Sequence, residues 1–242
     1  MSSGIYVALS GAVANSQALD VVANNVANAN TTGYKAERVN FAEALAGKGG
    51  AAARADSHFV KVAGTTSDPT PGIINTTDNP LDVAIEGEGY LAVGTAAGTR
   101  YTRAGQLRIN NEGALTSADG NSVLDTNGKP ILTPKSAASI EIASDGTVRA
   151  DGKSIGQMKL SRLDPKKLQR AGANLFTGVE VPNPAGKPVT LIPNAYESAN
   201  VSAVRGMVDL VRVSRTYDAL HRMLETYKDL DDRAARSIGG TG

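Results

Sequence analysis

The sequence has no cysteine, no tryptophan and only two histidines. Without cysteine there is no disulfide, no thiolate nucleophile and no cysteine-based metal site, and the chain suits any compartment, including an oxidising one. Aromatic residues make up 4% of the chain. Small-molecule pockets commonly use aromatic walls, so this scarcity weighs against a small-molecule enzyme. Charge of one sign is missing too, with 25 Lys and Arg against 24 Asp and Glu. That balance removes the basic face that nucleic-acid binding needs and leaves little self-repulsion to hold copies of the chain apart. No unbroken run of about 18 apolar residues occurs, so no direct membrane insertion is expected. The first twenty residues place no basic stretch ahead of an apolar run, so no cleaved signal peptide is expected, and any export must take a route that uses none.

What is present is enough for one or two domains, with 242 residues of which 41% are hydrophobic. Residues 4–29 read as a helix: Ile5, Leu9, Ala12, Ser16, Leu19, Ala23 and Val26 form one heptad-like seam. The seam is largely Ala, Ser and Val, which permits close helix approach but buries little area per residue. A second seam runs through Met207, Leu210, Ser214, Tyr217, His221, Leu224 and Lys228, widened by Val204, Val208 and Val211, with Ser202 as a cap. Between them, residues 73–192 read as short strands: Leu81, Val83 and Ile85 alternate with other residues, as do Leu107 and Ile109, Ile140 and Ile142, and Met158 and Leu160. Glu112-Gly113, Asp119-Gly120, Asn127-Gly128, Asp145-Gly146 and Asp151-Gly152 supply hairpin turns. Asp164 to Leu168 suits a brief helical turn. The expected fold class is α+β: N- and C-terminal helices forming a coiled-coil-like assembly domain, flanking a central, mostly antiparallel β domain. The expected divisions are an assembly helix and turn over 1–35, an extended, flexible connection over 36–72, the β domain over 73–192 and a C-terminal assembly helix over 193–242. Within the connection, 46–57 is low in complexity and rich in Gly and Ala.

No catalytic, cofactor or metal site is expected. His58 and His221 stand apart, and no phosphate loop, zinc-helix or serine-hydrolase motif occurs. The Asp-Gly turns lack the full calcium-loop pattern. Glu86 and Glu88 share a strand face, but no aromatic sugar platform accompanies them. The run Val21 to Lys35, VVANNVANANTTGYK, has a local account instead. Asn and Thr side chains compete for backbone hydrogen bonds and end helices. The run is suited to closing one helix, turning the chain tightly and fitting a crowded assembly.

Residues 10–35 resemble the N-terminal signature of bacterial flagellar basal-body rod and hook proteins, through Ser10-Gly11, Gln17, Asn24-Asn25-Val26-Ala27-Asn28 and Thr32-Gly33-Tyr34-Lys35. Asn79 to Tyr90, Tyr101 to Gly105, and Leu115-Thr116 to Asp119-Gly120 resemble the family's β domain. Glu197 to Val201, Met207-Val208 and Arg215-Thr216-Tyr217 resemble its closing helix. These blocks keep the family's order, and the closing helix is most similar to the proximal rod type, with the distal type next. The resemblance implies a non-enzymatic structural subunit of the rod in the periplasmic space. It also implies helical polymerisation through the terminal helices and passage through the flagellar type III export apparatus. The implied partners are copies of itself, other rod proteins and basal-body ring proteins, with no cofactor. With the two seams it implies an assembly interface at Ile5, Leu9, Ala12, Gln17, Leu19, Asn24, Asn25, Val26, Asn28, Gly33, Tyr34, Val204, Met207, Val208, Val211, Tyr217 and Leu224. Two other readings stay open on the residues alone: a secreted enzyme or glycan-binding β module with helical appendages, and a coiled-coil protein whose terminal helices pair within one chain.

Overall fold

The structure is a computed structural model that describes residues 3–45, 58–184 and 188–239. Among them are two helices and eighteen strands, in two compact units. The helical unit takes Met1–Ala27, Glu37–Asp68 and Ser202–Gly242, and the β unit takes Asn28–Ala36 and Pro69–Val201.

The helical unit holds α1 (Ser3–Ala27), β1 (Glu37–Leu45), β2 (His58–Ser67) and α2 (Ala203–Gly239). The two helices pack together antiparallel. Asn15 donates to the Val213 carbonyl at 2.8 Å, Gly11 faces Leu220, and Gly206 faces Val26. The cap expected at Ser202 is present, since its hydroxyl accepts the Arg205 amide at 3.4 Å. β1 and β2 pair antiparallel from Glu37 opposite Ser67 to Leu45 opposite His58, and α1 packs on both strands. The stretch 36–72, expected to be an extended connection, is thus mostly a long hairpin. Its alternating Val39, Phe41, Val60 and Val62 were hidden by the intervening 46–57, which lies outside the described residues. Asn40 faces Gly64 and Phe41 faces Val62, so Ala63 is the extra residue of a β-bulge.

Over Ile5–Ala27, α1 is long and apolar enough to cross a membrane by length and composition alone, a test that the core helix of a soluble protein also passes. Counting uninterrupted apolar residues missed this, because Ser, Asn and Gln break the run without lowering the average far. Asn15 and Asn25 use their amides in contacts within the unit.

The β unit contains β3 (Ile74–Thr76), β4 (Val83–Glu86), β5 (Tyr90–Thr95), β6 (Gly98–Thr102), β7 (Leu107–Ile109), β8 (Leu115–Ser117) and β9 (Ser122–Val123). It continues with β10 (Ile140–Ile142), β11 (Thr147–Ala150), β12 (Lys153–Gln157), β13 (Leu160–Leu163), β14 (Gln169–Arg170), β15 (Leu175–Thr177), β16 (Glu180–Val181), β17 (Thr190–Pro193) and β18 (Ala195–Glu197). All pairings are antiparallel. The largest sheet runs β14-β15-β6-β5-β9-β8-β7, with β13 also on β5. Smaller sheets are β10-β11-β12, β17-β4 and β18-β3. The unit extends past the expected 73–192, because β18 returns to pair with β3 and residues 28–36 belong to it. The Asp151-Gly152 turn joins β11 to β12 with positive φ at both residues, 49° and 77°, the geometry a two-residue hairpin favours. Asp164 to Leu168 forms a single turn closed by Lys167 N–H on the Asp164 carbonyl, not a helix.

Period-two alternation places the core on both faces of β5. Leu91 and Val93 join Leu107, Leu115, Val123, Ile142, Val148 and Met158 in one apolar cluster. Tyr90 and Ala92 join Tyr101, Leu124, Leu163 and Phe176 in another.

Candidate functional site

The signature segment divides between the two units. In the helical unit, Asn25 exchanges two hydrogen bonds with the backbone of Glu37, each 2.8 Å. A side-chain amide offers one donor and one acceptor, so it imitates a strand neighbour and fixes where β1 begins. In the β unit, Asn28 accepts from Thr31 through its carbonyl and its side-chain oxygen, and Thr32 donates to Gln106 at 2.7 Å. Gly33 has φ +68°, and a Cβ there would lie 2.4 Å from the Ala104 nitrogen, so no other residue fits. Its N–H donates to the Glu197 carbonyl at 2.8 Å. Tyr34 is 0% exposed. The Arg170 guanidinium lies 4.5 Å over its ring and donates to the Lys35 carbonyl.

Lys35 leads into a buried charge cluster that no spacing in the sequence announces. Its ammonium donates at 2.7 Å to Glu197 Oε1 and to the Thr70 carbonyl. Arg103 Nε donates at 2.7 Å to Glu197 Oε2, and its other nitrogens donate to the carbonyls of Ile85, Gly87 and Gly89. The Gly72 amide donates to Glu197 Oε1 at 2.7 Å. Lys35 and Glu197 are 2% and 1% exposed. Burial alone pushes the Glu197 carboxyl up, but the Arg103 charge, the Lys35 bond and the Gly72 amide together hold it below the usual glutamate range. Lys35, Arg103 and Glu197 each lie in a block that resembles the rod family, yet the sequence gives no sign that they meet.

The helical unit presents the other candidate surface. The inward face of α2 follows Gly206, Leu210, Val213, Tyr217, Leu220, Leu224 and Tyr227. Beside it runs an exposed apolar stripe: Val204 is 75% exposed, Val208 58%, and Met207 and Val211 are likewise open. On α1, Tyr6, Leu9 and Val13 are exposed. With Val60 and Val62 of β2 they line a groove of about 450 Å3 whose floor includes Ala14 and whose rim carries Gln17 and Lys61.

The expected interface residues therefore fall into two groups. Leu9, Gln17, Asn24, Val204, Met207, Val208 and Val211 are exposed. Ala12, Gly33 and Tyr34 are buried, and Ile5, Leu19, Asn25, Val26, Asn28, Tyr217 and Leu224 are partly so. Gly33 and Tyr34 are enclosed by the β unit, where their backbone and ring contacts lie within the chain. His221 packs edge-on against Tyr217 at 4.6 Å, while the His58 side chain lies outside the described residues. Glu86 ends β4 and accepts from Thr190, and Glu88 lies beyond it in the turn, paired with Arg162. Among the described residues no group of three or more His, Asp or Glu could hold a metal ion.

Three family models match stretches of the chain. Residues 5–35 match the family Flagella basal body rod protein, residues 84–150 the Flagellar hook protein FlgE/F/G D1 domain, and residues 192–237 the Flagellar basal body rod FlgEFG protein C-terminal. The chain is 31% identical to the flagellar basal-body rod protein FlgF of Mesorhizobium japonicum over 242 residues, which covers 99% of each chain. It is 32% identical to the FlgF of Caulobacter vibrioides over 250 residues, again 99% of each. Against the FlgG of Bacillus subtilis the identity is 36% over 197 residues, 73% of each chain. These relatives are structural proteins, not enzymes. The chain belongs to the flagellar basal-body rod protein family, as a structural component of the basal body.

Proposed function

We propose that this chain is a proximal rod subunit that polymerises helically through its helical unit, within the shaft that transmits torque. The observation that carries the reading is the second apolar stripe of α2. A helix that packs on α1 through one face has no internal need for Val204, Met207, Val208 and Val211 on another. Exposed apolar patches of this kind mark contact surfaces. On this reading the stripe, with Leu9 and Gln17 of α1, meets other copies or other rod proteins, while α1 and α2 pair within the chain. This gives α1 and α2 the assembly role and leaves the β unit, with 28–36 and 193–201, as the body. The proximal position draws support from the FlgF relatives matched along their full length. The distal position draws on FlgG relatives, one at 36% identity over 73% of each chain and others near 30% over more than nine-tenths. The rod would lie in the periplasmic space beside the ring proteins, reached through the type III export apparatus.

Val208→Asp tests the stripe. In the host strain the variant is expected to be absent from purified basal bodies, while the isolated variant keeps the parent's urea midpoint. Normal incorporation would remove the stripe from the interface.

A further inference from the structure

We infer that the Lys35–Glu197–Arg103 cluster is a latch that closes last in folding, so that the β unit becomes native only when the segment around residue 197 reaches it. The inference concerns the β unit alone and stands apart from the assembly reading. Three distant stretches meet at this point. The segment 33–36 is bonded to 197–200 through Gly33 N–H on the Glu197 carbonyl, Asn200 N–H on the Tyr34 carbonyl and Ala36 N–H on Asn200 Oδ1. The segment 70–75 is bonded to the same stretch through the Asn200 amide on Thr70, Gly72 N–H on Glu197, Ser198 N–H on the Ile73 carbonyl and the Asn75 amide on the Ser198 hydroxyl. Arg103 brings the turn after β4, whose carbonyls it gathers.

Two cations share this buried site with one carboxylate. Thr70 and the β4 turn give Lys35 and Arg103 carbonyl acceptors, and among the described residues of the cluster the countercharge comes from Glu197. Desolvating either cation ahead of the carboxylate is strongly unfavourable. Both therefore stay hydrated, and their segments undocked, until Glu197 arrives. The chain separations are large, 162 residues for Lys35 to Glu197 and 94 for Arg103 to Glu197. By contrast β5 with β6, β7 with β8 and β11 with β12 are hairpins of adjacent strands. Local pairs of this kind close before long loops do. A chain whose residues near 197 are not yet engaged thus keeps its signature segment out of the β unit.

Pulse-labelled hydrogen exchange during refolding of the full chain reads this directly. The Gly33 and Gly72 amides both bond to Glu197 and report the latch. They are expected to gain protection in a later phase than the amides of the β5–β6 hairpin. Protection in the same phase or earlier would overturn the inference. Kinetics of Glu197→Gln give a second reading. A latch absent from the transition state predicts refolding within about twofold of the parent and unfolding faster by about tenfold or more. Refolding slowed as much as unfolding is accelerated would also overturn it. Should the Gln variant not fold, Glu197→Asp, which keeps the charge and shortens the reach, is read in the same way, and the parent's labelling order stands without either.

Discussion

In the β unit the large apolar side chains face inward, with Leu91, Leu107, Leu115, Val123 and Phe176 all buried. In the helical unit the buried positions are small, Ala8, Ala12 and Ala14, while Tyr6, Leu9, Val13, Met207 and Val208 face outward. Both units draw on the same apolar-rich composition and spend it in opposite ways. The β unit closes around its own core and even encloses charge. The helical unit sets small residues of α1 against the half-buried Leu210, Tyr217, Leu220 and Leu224 of α2 and leaves much of its other apolar bulk exposed. The difference teaches that one unit buries most of its large apolar side chains, whereas the other leaves many of its own exposed.

Truncating one large apolar residue in each unit tests the contrast most strongly. Leu115→Ala is expected to cost about 2–5 kcal/mol, since it opens a cavity at a fully buried position. Met207→Ala, on the exposed stripe, is expected to change monomer stability by less than about 0.5 kcal/mol. Urea unfolding read by hydrogen exchange reports the two units separately. A comparable loss at Met207 would mean that the stripe is already covered within the chain.

The contrast extends to pH. Against the effect of burial, the folded Glu197 carboxyl is held below the ordinary glutamate value of 4.5 by Arg103, Lys35 and the Gly72 amide. The stability it contributes is present above that value and is lost as pH falls through the depressed folded value. At the other end, burial and the hydrogen bond to Glu180 push the Tyr101 hydroxyl from 10.0 up to about 12. Its contribution is present below pH 10.0 and is lost as pH rises toward about 12. The β unit should therefore weaken at both extremes. Glu197→Gln should flatten the acid limb and Tyr101→Phe the alkaline one, measured as urea midpoint against pH. An acid limb unchanged by Glu197→Gln would show that exposed carboxylates such as Asp125 and Asp145 set it.

How much of this was legible follows from the range of the signals. The helices and their caps were readable because periodicity and Ser202 act within a few residues. The Asp-Gly turns were readable for the same reason, and Gly113, Gly120, Gly128, Gly146 and Gly152 all take positive φ. The β1–β2 hairpin was not, because its two strands are separated by a stretch with no pattern of its own. The charge cluster was least legible. Lys35, Arg103 and Glu197 each read alone as a solvated side chain, and only the return of β18 to β3 brings them together. Of the expected interface, Val204, Met207, Val208 and Val211 of α2 are open while Tyr217 and Leu224 turn inward, and Gly33 and Tyr34 are buried in the β unit, since a motif identifies residues without saying what they touch.

The smallest expected effect is the most specific, because it turns on how closely α1 and α2 approach. Replacing a helix-interior glycine with alanine gains about 0.5–1 kcal/mol from backbone entropy when the new methyl has room. At Gly11 it has room: the methyl would sit 3.7 Å from Leu220, an ordinary contact. At Gly206 it would sit 2.6 Å from a Val26 methyl, and valine has little rotamer freedom with which to withdraw. Overpacking of that kind costs about 1–3 kcal/mol. Gly11→Ala should therefore stabilise the helical unit by somewhat under about 1 kcal/mol, and Gly206→Ala should destabilise it by about 1 kcal/mol after the helix gain is subtracted. Thermal unfolding followed through the exchange of α1 and α2 amides compares the two directly. Stabilisation by both would mean that the helices can part near Gly206 without loss, and that the small-residue seam does not set the approach there. Opposite signs would mean that it does, with Gly206 lacking a side chain so that α2 can reach α1 at Val26.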